Sequence, residues 1–170
     1  MNLETGENTL VHESHNDGEV WGLSLDGSYA YTSGDDNQVK VWDPASKKCI
    51  STAIVNTAER KARKNRASTL GSFPDSQSSR ALSISCNGHL AVCANDGSVT
   101  IRDTADINNV ITELTDSQEW VEVAEYSPDG NFLAVGSHDT NIYIYDAANG
   151  YSLVGTCSKH NASITCIDWS

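Results

Sequence analysis

Residues 32–43 read TSGDDNQVKVWD: two hydroxyl residues and a glycine, an aspartate pair, a short run of alternating polarity, and a closing tryptophan–aspartate. A lone Trp-Asp pair carries little information, but the same order returns twice. Trp42-Asp43, Arg102-Asp103 and Tyr145-Asp146 each follow an aspartate (Asp36, Asp96, Asp139) placed six residues before the first member of the pair. These repeats lie 60 and 43 residues apart. A second marker, Asp26-Gly27, Asn87-Gly88 and Asp129-Gly130, keeps nearly the same unequal spacing, 61 and 42. Two independent markers in step define an internal repeat.

Each marker has a physical role. Asn-Gly and Asp-Gly tolerate the positive φ of a tight turn, so they join antiparallel strands. On either side stand short β-forming runs: EVWGLSL and YAYTS, RALSIS and HLAVCA, EVAEYS and FLAVGS. VKVW, VTIR and IYIY supply a third strand; STAIV, NVITEL and SLVGTC supply a weaker fourth. Four short strands per unit is the pattern of a β-propeller blade. No long stretch has a helical period. The expected fold is all-β: a partial propeller across 1–170, with four-stranded antiparallel blades near 19–54, 80–114 and 120–156 and an insertion at 56–79. NTLVH at 8–12 and the run 164–170 are expected to add one strand at each end. Three blades cannot close a ring. The chain is therefore expected to be a fragment of a larger propeller, and in isolation to form a homodimer through its end blades.

The stretch 32–43 resembles the second and third strands of a WD repeat. In that family a His, a Ser or Thr, an Asp and a Trp share hydrogen bonds inside the blade, and the resemblance places the set on His15, Ser33, Asp36 and Trp42. The chemistry is sound, because a buried aspartate needs donors, and imidazole, hydroxyl and indole N–H supply them. Repeat two keeps only Asp96, with Arg102 at the Trp position; repeat three keeps Asp139, with Gly136 and Tyr145 at the Ser and Trp positions. His160 opens a further repeat entry, followed by Ile164, Ile167 and Trp169. The WD resemblance also implies a partner-binding top face. It carries that face onto Glu19, Trp21 and Asp35 in blade one, Ser78, Arg80 and Asn95 in blade two, and Trp120, Glu122 and His138 in blade three.

Three longer stretches are more specific: DGEVWGLSLDGS (17–28), WVEVAEYSPDGNFLAVGSHDTNIYIYDAANG (120–150) and GTCSKHNASITCIDWS (155–170). In this order they are similar to the echinoderm microtubule-associated protein-like (EMAP-like) family. The resemblance implies a portion of the second of two joined propellers. It also implies a non-enzymatic scaffold, tubulin or microtubules as partner, and a cytoplasmic, cytoskeletal location. The alternative for a WD repeat is a scaffold of another assembly, such as a ubiquitin ligase, chromatin or transport complex.

Composition narrows the remaining classes. The net charge is −12, yet ERKARKNR (59–66) holds five of the eleven Lys and Arg residues. Arg60, Lys61, Arg63, Lys64 and Arg66 thus form a basic handle suited to an acidic partner such as tubulin, or else a solvated loop. The acidic remainder argues against nucleic acid, which demands clustered Lys and Arg. No apolar run reaches the roughly 18–20 residues of a membrane helix. The five cysteines (49, 86, 93, 157, 166) contain no CxxC pair, so neither a disulfide framework nor a zinc site is expected. His12, His15, His89, His138 and His160 show no HExxH spacing, and no GxSxG elbow or Gly-rich phosphate loop is present. No metal, cofactor or catalytic group is expected.

Overall fold

The computed structural model describes residues 15, 18–55 and 78–170, and its described elements are all strands. Blade one comprises β1 (Val20–Leu25), β2 (Ala30–Gly34), β3 (Gln38–Asp43) and β4 (Lys48–Ile54). Blade two comprises β5 (Ser79–Ile84), β6 (His89–Ala94), β7 (Val99–Asp103) and β8 (Val110–Leu114). Blade three comprises β9 (Val121–Tyr126), β10 (Phe132–Ser137), β11 (Ile142–Asp146) and β12 (Ser152–Cys157). Each sheet is antiparallel with its strands in chain order. The blades follow one another through their first strands: β1 lies against β5, and β5 against β9. Of the insertion, only Ser78 and Ser79 are described, and Ser79 opens β5.

Strand β6 shows why this sequence makes a stacked sheet. Successive side chains on a strand point to opposite faces. Leu90, Val92 and Ala94 join one apolar cluster with Tyr31, Val39 and Val41 of blade one. Ala91 and Cys93, between them, join a second cluster with Val121, Leu133, Val135 and Tyr145 of blade three. HLAVCA is apolar at consecutive positions because blades cover it on both sides. Among the described residues blade one has a neighbour on one side only, and its Leu23 and Leu25 are each 65% exposed.

The turns repeat with the strands. The first turn of each blade carries a glycine at positive φ, at Gly27, Gly88 and Gly130. The turn between the second and third strands puts Asn37, Gly97 and Thr140 at φ 60, 86 and 72. In each, the aspartate just before accepts from the backbone N–H just after: Gln38 to Asp36, Ser98 to Asp96, Asn141 to Asp139. This local bond favours the left-handed residue between them.

The end of the chain departs from expectation. Residues 158–170 form no strand, and His160 is exposed. An inner strand is built by pairing with the second strand of its own blade, and this segment has no such partner among the described residues. It lies instead against blade three. Ile164 N donates to Ser137 O at 3.1 Å, Trp169 Nε1 donates to Glu125 O at 3.0 Å, and the Trp169 ring stacks on Phe132. The other expected end strand, 8–12, lies outside the described residues.

Leu90 is fully buried between blades one and two. Leu90→Ala is expected to cost about 2–5 kcal/mol through lost burial and the residual cavity. Urea denaturation monitored by circular dichroism checks this.

Candidate functional site

The aspartate set of blade one is closed, with one member changed. His15 Nδ1 pairs with Asp36 Oδ1 at 2.7 Å, and the two side chains are 3% and 4% exposed. The hydroxyl joining them to the tryptophan belongs to Thr32, not Ser33. Thr32 Oγ1 lies 2.8 Å from His15 Nε2 and accepts from Trp42 Nε1 at 2.7 Å. Strand parity explains the correction. Trp42 pairs with Ala30 across the ladder, so Thr32, two residues on, shares its face. Ser33 is on the opposite face with Tyr31, and its hydroxyl donates to Ser79 O of blade two at 3.3 Å.

The other two blades solve the same problem with different chemistry. At the Trp position of blade two, the buried Arg102 guanidinium donates to Ile107 O at 2.7 Å, and across the blade boundary to Ile54 O at 2.9 Å. In blade three Tyr145 donates its hydroxyl to Asp116 Oδ2 at 2.9 Å. Burial and this bond push the Tyr145 phenol pKa upward. Asp139 is partly buried, which raises its pKa. Donors from the Gln118 backbone, Tyr143 hydroxyl, Asn141 backbone and Ser137 outweigh burial and hold it below the ordinary value.

The outward-facing site is built by a defect repeated three times. The first strand of each blade carries a β-bulge, between Val20 and Gly22, between Ser79 and Ala81, and between Val121 and Val123. The residue skipped by the ladder is Trp21, Arg80 or Glu122. A bulge re-aims its extra side chain, often beside a functional surface. The same rim holds the turn residues Asp35, Asn95 and His138, whose N–H groups donate to Glu19 O, Ser78 O and Trp120 O. Structural equivalence therefore brings these nine positions to one rim.

Across the blades their side chains interlock. The Arg80 guanidinium carbon is 4.3 Å from the Trp21 ring centroid and 4.8 Å from that of Trp120. Such contacts contribute about 0.5–2 kcal/mol each, more as the cation is desolvated. Arg80 Nη1 reaches Glu122 Oε1 at 3.9 Å, and Glu122 Oε2 lies 3.1 Å from His138 Nε2. The His138 ring in turn rests against Trp120 at 5.5 Å. At the blade-one end, Trp21 Nε1 donates to Asp35 Oδ1 at 2.9 Å, and Glu19 N donates to Asp35 Oδ2 at 3.0 Å. Trp21 is 44% exposed, so it is not merely packed between blades. Ser78 is the exception among the nine. It is buried and contributes its carbonyl to the rim. Arg60, Lys61, Arg63, Lys64 and Arg66 lie outside the described residues. Among the described residues, no group of three His, Cys, Asp or Glu side chains is placed to hold a metal.

Consecutive four-stranded blades joined through their first strands, with a His–Asp–Thr–Trp set in one of them, define a WD-repeat propeller. The chain belongs to the echinoderm microtubule-associated protein family: residues 20–170 match the model of that family's second β-propeller. It is 44% identical over 169 residues to the ciliary WD repeat-containing protein ctxp80 of Euplotoides octocarinatus, covering 97% of this chain and 24% of that protein. Against echinoderm microtubule-associated protein-like 1 of Homo sapiens it is 33% identical over 171 residues, covering 98% of this chain and 18% of that protein. The chain thus spans under a quarter of the length of these relatives. Among solved structures, a chain of the mitotic checkpoint complex superposes with TM-score 0.78 at 20% identity, over 99% of this chain and 46% of that one. The RRP9 WD40 repeats superpose with TM-score 0.71 at 18% identity, over 89% and 42%. At these identities the likeness concerns the fold.

Two expectations follow. In a double-mutant cycle, Thr32→Val and Trp42→Phe are expected to couple by about 0.5–3 kcal/mol, whereas Ser33→Ala and Trp42→Phe add independently. Stability against urea reads both. The second concerns acid. Because the folded pKa of Asp139 is depressed, its contribution is present above the unfolded value of about 3.9 and is lost as pH falls through the folded one. Asp139→Asn is therefore expected to lower Tm at neutral pH and to make its decline below about pH 4 shallower. Thermal melts across pH check the slope.

Proposed function

We propose that this chain belongs to a non-enzymatic WD-repeat scaffold that binds protein partners and associates with tubulin or microtubules at the cytoplasmic cytoskeleton. The observation that carries this reading is the family match across residues 20–170. Charge supports it. Tubulin is strongly acidic, and the run 59–66 is basic in a chain whose net charge is −12. In this reading Arg60, Lys61, Arg63, Lys64 and Arg66 contact tubulin, and the bulge-built rim docks a protein partner. The assignment is tested on the full-length protein by co-pelleting with polymerised tubulin, alongside pull-down of soluble tubulin. Saturable co-pelleting is expected, weakened severalfold when the five basic residues are replaced by alanine and by raised salt. Absence of both co-pelleting and pull-down would overturn it in favour of a scaffold in another assembly.

A further inference from the structure

We propose that the Trp21–Arg80–Trp120 rim receives an extended basic segment of a partner protein, with a Lys or Arg side chain seated on the Trp21 indole. The inference rests on the protein-binding reading above and not on the tubulin one. Three observations carry it. First, Trp21 is half open to solvent while Arg80 covers one portion of its ring, so a flat aromatic surface is held in place before any partner arrives. Such preorganisation spares the ordering cost of binding. Second, the Trp21 N–H donates to the Asp35 carboxylate. That bond fixes the ring, and the carboxylate beside it adds negative potential, favouring a cation over the ring. Third, the Asp35 carboxylate lies beside Trp21 and the Glu122 carboxylate beside Arg80, whose side chain is only 19% exposed. Among the described rim residues the charge presented outward is therefore negative, within a chain of net charge −12.

The opposite reading, an anion seated on Arg80, fits less well. The Arg80 Nε is buried, with no hydrogen-bond partner among the described residues, and Nη1 already faces Glu122. An incoming carboxylate would have to push the Trp21 and Trp120 indoles aside and displace Glu122 to reach the guanidinium fork. A Lys or Arg side chain displaces none of the contacts made by the described residues. It adds to the outer side of a stack already formed, and its charge finds the Asp35 carboxylate beside the ring.

The test uses the full-length protein and two labelled twelve-residue probes, one rich in Lys and Arg and one rich in Glu, with binding read by fluorescence anisotropy. The basic probe is expected to bind, and the Glu-rich one not. Trp21→Ala is expected to weaken the basic probe about tenfold. Trp21→Phe keeps an aromatic face but loses the Asp35 bond, and should fall between. Asp35→Asn keeps an acceptor for the indole while removing the charge, and should reduce both affinity and its salt dependence. Circular dichroism melts of each variant confirm folding, and Trp21→Phe serves as the aromatic test if Trp21→Ala melts early. Equal binding of the basic probe to wild type, Trp21→Phe and Asp35→Asn would overturn the proposal, reducing it to general attraction by an acidic chain. Preference for the Glu-rich probe, or binding of neither, would also overturn it. Because no tubulin is present, none of these results bears on microtubule association.

Discussion

A strand covered on both sides is the constraint from which the rest follows. With β6 buried from Leu90 to Ala94, each face of blade two must be matched by a complementary face on a neighbour. Blade one and blade three provide those faces, chiefly from their second and third strands and, in blade three, also from the first. Once the sheets are held face to face, their first strands are drawn alongside one another, β1 by β5 and β5 by β9. Regular pairing would point every side chain on those strands into one face or the other. The bulges release one residue per blade from that alternation, which is why Trp21, Arg80 and Glu122 can meet residues from different sheets.

Polar groups inside the blades follow a rule of satisfaction rather than a fixed set of residues. Blade one uses imidazole, hydroxyl and indole around Asp36; blade two uses a guanidinium on carbonyl oxygens; blade three uses tyrosine hydroxyls on Asp116 and Asp139. The substitutions at the Trp position are large changes in chemistry, yet each replacement reaches an acceptor. An unsatisfied buried donor costs about 1–3 kcal/mol, enough to require this. The same backbone turn, with aspartate before a left-handed residue, persists in all three because its hydrogen bond is local.

The sequence shows what is local and periodic. Strand order, turn positions and the repeating aspartates are visible because each depends on a few neighbouring residues. The nine rim positions are visible through the repeat as well. What stays hidden is mutual arrangement. That Arg80 lies between Trp21 and Trp120 joins residues from three blades, and nothing in the spacing of 21, 80 and 120 encodes it. Ser33 differs in kind. The deciding information is in the sequence, since Thr32 is an even number of residues from Trp42 through the paired Ala30, but composition favours either hydroxyl and only parity separates them. Ser78 shows the same limit: a position in the repeat does not state whether its side chain or its carbonyl meets the surface.

Arg102 has a consequence for how this propeller accommodates new sequence. Its guanidinium holds the carbonyls of Ile54 and Val55, the last described residues before the 56–77 segment, and Ser79 on the far side enters the β5 ladder at once. Both ends of that segment are thus tied into blade two by bonds that do not involve the segment itself. Lengthening a connection whose ends are already fixed carries only a small entropic cost, about 0.6 kcal/mol per doubling. The blade boundary is therefore a permissive graft point, where a lineage or a protein engineer can exchange one connecting sequence for another and leave the described sheets as they are.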